Sequence, residues 1–298
     1  MPTEERHSIV AELSPPYEVL GPAVPTAPFV FCSPHSGRIY PRRFLDQSRL
    51  DPLSLRKSED CFVDELFAGV AERGAPLISA RFPRAYLDVN REPFEFDPEL
   101  FNAALPDFAN TQSVRVVGGL GTIARIVADG EEIYRERLTL KDAMARIDHL
   151  YRPFHAALAD LIEEVRLRFG YVILVDCHSM PSTSMVQSTG PRPDFVLGDR
   201  FGVSCDPRLT RMLKDAIAGL GYDVQLNRPY AGGFITEHYG RPRHGVHALQ
   251  IEINRGLYLN EATVTPSRDM PLLKRDLMRV AERMFATVPS LLERRAAE

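Results

Sequence analysis

The sequence predicts a single α/β domain in which a mixed, mostly parallel sheet is flanked by helices. Short apolar runs rich in β-branched residues, such as residues 28–31, 171–175 and 246–253, are typical of buried strands. They alternate with longer stretches in which apolar residues recur at helical spacing. No internal repeat and no convincing linker divides the 298 residues. We therefore expect residues 26–298 to form one domain.

The predicted elements follow from these two patterns. Residues 60–72 carry apolar side chains at 62, 63, 66, 67 and 70, which share one face of a helix. Leu209, Leu213 and Ile217 do the same for a helix at 206–220. In chain order, the predicted elements are a strand at 28–31, a helix at 60–72, strands at 75–80 and 85–89, a helix at 140–169, a strand at 171–176, a helix at 206–220, strands at 224–226 and 246–253, and a helix at 270–292.

Four segments lack either pattern and are predicted to be irregular. Residues 1–25 are rich in proline, and we expect a loosely structured lead-in. Residues 91–112 combine prolines with acidic residues and are predicted to form a long ordered loop or lid. Residues 179–193 are rich in Ser, Thr, Pro and Gly, which indicates a loop, and residues 231–233 indicate a turn.

Composition and charge exclude several classes of protein. The net charge of −4 and the pI near 6.1 argue against nucleic acid or an anionic membrane as the main partner. No apolar stretch approaches the roughly 20 residues of a membrane span, and the N-terminus lacks the features of a secretory signal. The 4 cysteines show no short CxxC spacing and are predicted to be reduced packing residues. We expect a cytoplasmic protein that acts on a small molecule.

Three polar residues stand at or inside the predicted strands. His35 and His178 follow strands directly, and Glu252 lies within the run at 246–253. Alternation places Asp176 and His178 on one face, and Gln250 and Glu252 on one face. The ends of parallel strands usually carry the active site of an α/β fold. Two imidazoles and a carboxylate there indicate a mononuclear zinc hydrolase with Glu252 as general base.

Each residue also has a structural interpretation. His35 could cap its loop, His178 could form a buried pair with Asp176, and Glu252 could form an ion pair with Arg255. A third zinc ligand is needed, and Glu59, Asp60 and Asp64 are its candidates. Asp60 is favoured because positions at the start of a helix project toward the strand ends. Either aspartate could instead act as a helix cap or a first-turn acid.

Five ordered motifs, SPHSGRIYP, SEDCFVDELF, RFPRAYLDVNREP, VDCHSMPS and ALQIEINRGLYL, resemble the N-formylglutamate amidohydrolase family. The resemblance spans roughly residues 28–290. It implies a zinc-dependent deformylase that acts on N-formylglutamate or a related N-formyl amino acid. The pathway, histidine degradation or another branch of amino-acid catabolism, stays open.

That family is distantly similar to the zinc carboxypeptidase and aspartoacylase group, whose phosphorylase/hydrolase-like fold is a mixed sheet flanked by helices. In that group a His-x-x-Glu pair and a later histidine bind the metal. Here Arg38 stands where the glutamate would be, so we assign the carboxylate ligand to Asp60. The resemblance thus implies zinc on His35, Asp60 and His178, with Glu252 as the base.

The same resemblance suggests how substrate is bound. Asn90-Arg91 resembles the Asn-Arg pair that engages substrate in the aspartoacylase group, and a guanidinium suits a carboxylate. A salt bridge from Arg91 to Asp88 or Glu92 is the alternative. Arg84 and Arg255 are second candidates, and Thr236 could line the pocket. His238, His244 and His247 are left out of the metal set.

Two other functions fit the same residues. Another zinc-dependent N-acyl amino acid amidohydrolase, aspartoacylase-like or desuccinylase-like, would use the same metal site with a different pocket. A non-catalytic zinc module would need a closed site, usually with four protein ligands and several cysteines. The motifs offer no fourth ligand and no cysteine cluster, which favours an open catalytic site. The sequence gives no prediction of oligomeric state.

Overall fold

A computed structural model describes residues 3–127, 130–183 and 193–293 of the chain. Its main feature is a seven-stranded sheet with the strand order β1-β3-β2-β4-β7-β5-β6. A separate two-stranded sheet pairs β8 with β9. The strands are β1 (Tyr17–Leu20), β2 (Phe29–Ser33), β3 (Leu77–Ala80), β4 (Val172–Met180), β5 (Phe195–Gly198), β6 (Val224–Leu226), β7 (Val246–Asn254), β8 (Leu259–Asn260) and β9 (Thr265–Pro266).

Ten α-helices are found in the described residues, and none of them is long and apolar enough to cross a membrane. They are α1 (Glu4–Glu12), α2 (Arg42–Gln47), α3 (Pro52–Arg56), α4 (Val63–Phe67), α5 (Val114–Val117), α6 (Leu140–Arg146), α7 (Arg152–Phe169), α8 (Pro207–Ala218), α9 (Phe234–Tyr239) and α10 (Met270–Glu293). A π-helical turn, Ile147–Tyr151, joins α6 to α7, so the helix predicted at 140–169 is continuous but bulged.

The strand directions confirm the predicted fold class, a mixed and mostly parallel sheet flanked by helices. β2, β4 and β7 run parallel to one another, and β5 runs antiparallel to β7 but parallel to β6. The sequence patterns did not indicate β5. Its four residues, Phe195–Gly198, are all buried, and so short an apolar run gives little periodic signal.

The apolar side of the sheet is covered by aromatic side chains from two helices. Phe31 of β2 lies 5.9 Å from Phe67 of α4, measured between ring centroids, and Phe29 lies 4.5 Å from Phe285 of α10. α10 also packs on α4 and α8. α9 contacts β4 and β7. Strand residues that alternate between the faces therefore separate this aromatic core from a polar face.

The chain divides into two compact units. The first comprises Met1–Glu18, Pro34–Cys61 and Ser79–Ala159, and the second comprises Val19–Ser33, Phe62–Ile78 and Asp160–Glu298. The second unit contains the strands β2, β4, β7, β5 and β6. The domain boundary predicted after residue 25 stays a prediction.

Two predicted segments are wrong in detail. Residues 85–89 form no strand, because Tyr86 and Leu87 donate their N–H groups to the Pro83 carbonyl in a turn. The helix predicted from residue 60 begins at Val63, after Phe62 adopts a left-handed conformation with a φ of 63°. The loop predicted at 179–193 lies partly outside the described residues, while residues 91–112 are irregular, as predicted, apart from one short 3₁₀ turn.

The N-terminal residues are not the loose lead-in that their prolines indicated. Thr3 caps α1 by accepting the Arg6 N–H group, and Ile9 and Leu13 are 1% exposed. α1 packs on α6. The spacing of Ile9 and Leu13, four residues apart behind a threonine cap, was the signal in the sequence.

One buried ion pair anchors α1. The Arg146 side chain is 0% exposed, and its Nε donates to Glu5 Oε1 at 2.5 Å. Tyr86 donates its hydroxyl to the same oxygen at 2.7 Å, and the Arg146 guanidinium lies 4.0 Å from the Tyr86 ring centroid. Burial favours the neutral acid, but Arg146, Tyr86 and Arg43 outweigh it and hold the pKa of Glu5 below its usual value.

We predict that Glu5→Gln lowers the free energy of unfolding by about 3–5 kcal/mol, because it leaves Arg146 as a buried charge without its counter-ion. Glu4→Gln is the matched control: Glu4 also pairs with Arg43 but its side chain is 82% exposed, so about 0–1 kcal/mol is expected. Urea denaturation measures both. Because the folded-state pKa of Glu5 is depressed, its contribution is present above the unfolded-state pKa and is lost as the pH falls through the folded-state pKa. Equal effects of the two variants would contradict this account.

Candidate active site

A polar face is built on two neighbouring parallel strands. β4 and β7 pair in a register that sets Asp176 beside Gln250 and His178 beside Glu252. Neighbouring residues in such a register point to the same side of the sheet, so the four side chains share one face. His178 Nε2 lies 2.9 Å from Asp176 Oδ1. The alternation predicted from the sequence thus places these groups together, and all four are buried.

The beginning of α9 holds this face in a fixed orientation. The Gly233 N–H group donates to Gln250 Oε1 at 2.7 Å, so the amide nitrogen of Gln250 must face the other way. That nitrogen donates to Glu252 Oε1 at 2.8 Å. Thr236, which is 0% exposed, donates its hydroxyl to Asp176 Oδ2 at 3.3 Å. The Thr236 hydroxyl is therefore engaged with Asp176, and its predicted place at the pocket wall stays a prediction.

His35 is positioned by a close approach of two chain segments. A side chain at residue 37 would collide with the carbonyl group of Phe82, so only glycine fits there. The Ile39 N–H group donates to the Arg81 carbonyl at 3.0 Å. On the other side, the Asp60 N–H group donates to the His35 carbonyl at 3.0 Å. His35 is thereby held next to Asp60.

Asp88 is the residue that the sequence interpretation missed. Its Oδ1 lies 2.7 Å from His35 Nε2, and its Oδ2 accepts a hydrogen bond from Arg84 at 2.8 Å. Burial raises the pKa of this carboxyl, but Arg91, His35 and Arg84 outweigh burial and hold it well below its usual value. Asp88 is therefore an ionised partner that orients the His35 ring. Its sequence signal was an acid directly after the apolar residues 85–87.

His35, Asp60 and His178 form a group that could hold a metal ion. Each is buried and offers one ligand atom, and these atoms lie within 4.8 Å of one another. His35 Nδ1 lies 3.3 Å from Asp60 Oδ2. In the neutral ring the proton on Nε2 serves Asp88, so Nδ1 presents a lone pair to a carboxylate. A cation between these two acceptors would relieve their repulsion, so the donor set fits a divalent metal.

The other two carboxylate candidates have different surroundings. Glu59 accepts hydrogen bonds from Tyr40 at 2.6 Å and from Arg56 at 3.2 Å, and Cys61 Sγ lies 3.1 Å from its carboxylate. Asp64 lies in the first turn of α4. Asp60 is the acid that joins the two histidines.

The predicted substrate residues have defined partners. Arg91 is 7% exposed, and its Nε and Nη1 donate to the carbonyls of Leu120 and Asn90. Its Nη2 lies 3.4 Å from Asp88 Oδ2, the salt bridge that the sequence offered as the alternative. Asn90 is buried, and its N–H group donates to Asp88 Oδ1. Burial lowers the pKa of Arg91 to about 10, against the influence of Asp88, so the guanidinium is charged at neutral pH.

Arg255 and the three histidines left out of the metal set have partners or positions of their own. Arg255 is buried, and its Nε donates to Ser179 Oγ at 3.0 Å. His247 Nδ1 accepts the Asp206 N–H group at 3.2 Å, and the His238 ring stacks on Phe234 at 4.9 Å. His244 ends a short 3₁₀ turn.

Comparison with known proteins gives a consistent result. The family model described as N-formylglutamate amidohydrolase matches residues 27–259. N-formylglutamate deformylase from Pseudomonas aeruginosa is 30% identical over 238 residues, 78% of this chain and 83% of the relative. N-formylglutamate deformylase from Pseudomonas putida is 29% identical over 237 residues, 78% of this chain and 82% of the relative.

Solved structures show the same fold. The crystal structure of N-formylglutamate amidohydrolase from Ralstonia eutropha JMP134 superposes with a TM-score of 0.87 and 36% identity, over 92% of this chain and 99% of that one. A protein from Agrobacterium tumefaciens superposes with a TM-score of 0.66 and 19% identity, over 91% and 94% of the two chains. The second likeness shows the fold alone.

We predict that Asp60→Asn weakens binding of a divalent metal strongly, because an amide replaces a charged ligand. Glu59→Gln and Asp64→Asn, at neighbouring acids, are expected to retain affinity within a few-fold. Titration of the chelator-treated protein with Zn²⁺, followed by mass spectrometry of bound metal, measures the three variants. A loss confined to Glu59→Gln or Asp64→Asn would reassign the carboxylate ligand.

Proposed function

The chain belongs to the N-formylglutamate amidohydrolase family, and on that premise we propose that it hydrolyses the formamide bond of N-formyl-L-glutamate or a closely related N-formyl amino acid. The products are formate and the free amino acid. One observation supports this most strongly. The ligand atoms of three buried residues, His35, Asp60 and His178, lie within 4.8 Å of one another. Glu252 lies beside His178 on the neighbouring strand, β7. This is the set of groups that metal-assisted amide hydrolysis requires.

We assign a divalent metal, Zn²⁺ or a similar transition ion, to His35, Asp60 and His178. Two imidazoles and one carboxylate are a donor set of the kind that catalytic zinc uses. When bound, the ion supplies a Lewis acid that polarises a carbonyl group and lowers the pKa of water. Asp88 and Asp176 would orient the two imidazoles, as outer carboxylates commonly do.

Glu252 is assigned as the general base. Its carboxylate takes a proton from water as the water oxygen bonds to the formyl carbon, and it then delivers a proton to the amine nitrogen as the C–N bond breaks. The hydrogen bond from the Gln250 amide nitrogen fixes the position of the Glu252 carboxylate. Because Gly233 fixes Gln250 in turn, the base needs little reorganisation during the reaction.

The amino-acid half of the substrate is assigned to the arginines around Asp88. Arg91, with Asn90, is charged and held rigidly, and Arg84 shares the Asp88 carboxylate with it. Arg255 is a further candidate next to Ser179. The formyl group is the smallest acyl group and offers little apolar surface. Charge-assisted hydrogen bonds to carboxylate are therefore the strong contacts available for recognition.

The substrate assignment predicts a preference among acyl groups. The wild-type protein, loaded with Zn²⁺, is expected to release formate from N-formylglutamate, and to cleave N-acetylglutamate and N-succinylglutamate far more slowly. An assay of the released acids by chromatography measures this directly. Preferred cleavage of a larger acyl group would make the chain an N-acyl amino acid amidohydrolase of another specificity.

The assignment of the base predicts a clean separation of metal binding from turnover. Glu252→Gln keeps the shape of the side chain but removes the proton acceptor, so we expect formate release to fall by at least about 10²-fold with metal content unchanged. His178→Ala is expected to lose both. Metal analysis and a formate assay on the same preparations decide the matter. Retained zinc and activity in His178→Ala would refute the ligand assignment, and an active Glu252→Gln would refute the base.

A further inference from the structure

α7 and the π-helical turn before it face the segment that carries Asp88 and Arg91. The Tyr151 hydroxyl donates to the Arg91 carbonyl at 2.7 Å, and Tyr151 is 6% exposed. His155 Nε2 lies 2.9 Å from the Val89 carbonyl oxygen. Because a carbonyl oxygen can only accept a hydrogen bond, the His155 donor is the Nε2–H group. Two side chains one helical turn apart therefore hold two carbonyl groups of one short segment.

The π-helical turn, Ile147–Tyr151, decides which side chains face this segment. It contains one residue more than a turn of α-helix, because its hydrogen bond spans five residues instead of four. Pro153 follows it and has no N–H group with which to continue the α-helical pattern, which favours a bulge here. Arg146 precedes it and donates to the Tyr86 carbonyl at 3.1 Å. Regular spacing would put the residue before Tyr151 on the face of Arg146, and the additional residue puts Tyr151 there instead.

The carbonyl group that His155 holds belongs to a peptide group with a second contact. The same peptide group carries the Asn90 N–H, which donates to Asp88 Oδ1 at 2.8 Å. Asp88 Oδ1 also lies 2.7 Å from His35 Nε2. A peptide group is planar and rigid, so fixing its carbonyl also fixes the direction of its N–H group. A chain of three hydrogen bonds therefore connects His155 to His35, a candidate metal ligand.

The carbonyl group that Tyr151 holds belongs to Arg91, the candidate substrate residue. The guanidinium of Arg91 is held by the Leu120 and Asn90 carbonyls. Tyr151 therefore fixes the backbone from which this side chain starts, and the two carbonyls fix the other end. The Tyr151 ring centroid lies 4.3 Å from that of His155, so the two donors also pack on each other.

We propose that His155 and Tyr151 are positioning residues of the candidate active site. His155 orients Asp88 and, through it, the His35 ring, while Tyr151 orients Arg91. The effect on catalysis rests on the proposed function, whereas the hydrogen bonds themselves do not depend on it. Both residues act through backbone carbonyl groups. A merely structural role would therefore change the stability of the protein but neither its metal affinity nor its KM.

Removal of the His155 donor is expected to weaken the candidate metal site. His155→Phe keeps an aromatic ring without the N–H group. We expect the affinity of the chelator-treated protein for Zn²⁺ to fall by about 3- to 10-fold, less than the roughly 10- to 100-fold typical when the direct partner of a ligand is lost. His155→Gln keeps an N–H donor and is expected to recover part of this affinity. Titration with Zn²⁺ measures both variants.

Removal of the Tyr151 hydroxyl is expected to weaken substrate binding instead. In Tyr151→Phe we expect KM for N-formylglutamate to rise by about 10-fold, because the misplaced Arg91 loses part of its contact with substrate. Both kcat and the affinity for Zn²⁺ are expected to stay within about threefold of wild type. Tyr222→Phe is the matched control, since it removes a hydroxyl that donates to Asp276 at 3.0 Å, and it should change neither quantity. Urea denaturation shows whether the two variants lose similar stability.

Hydrogen exchange of the peptide covering residues 86–92, followed by mass spectrometry, tests these contacts without metal or substrate. The Asp88 and Asn90 N–H groups should exchange faster in His155→Phe and Tyr151→Phe, and at the wild-type rate in Tyr222→Phe. Unchanged exchange would overturn the proposal. Wild-type Zn²⁺ affinity in His155→Phe would overturn the role of His155, and wild-type KM in Tyr151→Phe that of Tyr151.

The same measurements separate this inference from the proposed reaction. A wild-type protein that releases no formate would overturn the proposed reaction, and with it the role of Tyr151 toward substrate. Faster exchange and weaker Zn²⁺ binding in His155→Phe would leave the role of His155 in place even then.

Discussion

The pairing of β4 with β7 is the constraint on which the candidate catalytic face depends. Its register sets His178 beside Glu252 and Asp176 beside Gln250. A slip of one residue would turn Glu252 toward the aromatic core, where a carboxylate is costly to bury. The apolar side chains that alternate with these polar residues fill the other face of the sheet. Their burial therefore also selects the register. The packing of one face against α4 and α10 and the position of Glu252, the proposed base, both follow from this strand pairing.

Buried charge is tolerated in this protein where several partners share it. Asp88 takes part in contacts with His35, Arg84 and Arg91, and Glu5 with Arg146, Tyr86 and Arg43. Each cluster compensates the loss of water around an ion with hydrogen bonds from fixed donors. The two clusters differ in what they hold. The Glu5 cluster anchors an N-terminal helix, whereas the Asp88 cluster holds one histidine and the two arginines that we propose as substrate-binding residues.

Local sequence patterns were enough to predict much of the fold and part of the candidate site. Apolar runs marked β2, β4 and β7, and period-two alternation placed His178 and Glu252 on their faces, because both depend on neighbouring residues. The partners of those residues depend on contacts distant in sequence. Glu5 and Arg146 are 141 residues apart, and His35 and Asp88 are 53 apart. Glu59 and Asp60 are adjacent acids that only tertiary contacts distinguish, since Tyr40 and Arg56 engage the first and His35 the second.

Residues 35–60 form a loop that contains α2 and α3. The hydrogen bond from the Asp60 N–H group to the His35 carbonyl closes the base of this loop. Both ends of this loop are fixed there, so its interior can lengthen or shorten without moving either side chain, at an entropic cost that grows only slowly with length. Two metal ligands on the same helix have no such freedom, because the helical turn sets the number of residues between them. A search for candidate metal sites of this kind that requires a constant spacing between histidine and acid would therefore overlook chains whose loops differ in length. The geometry at the base of the loop is therefore a better search criterion than the number of residues between the histidine and the acid.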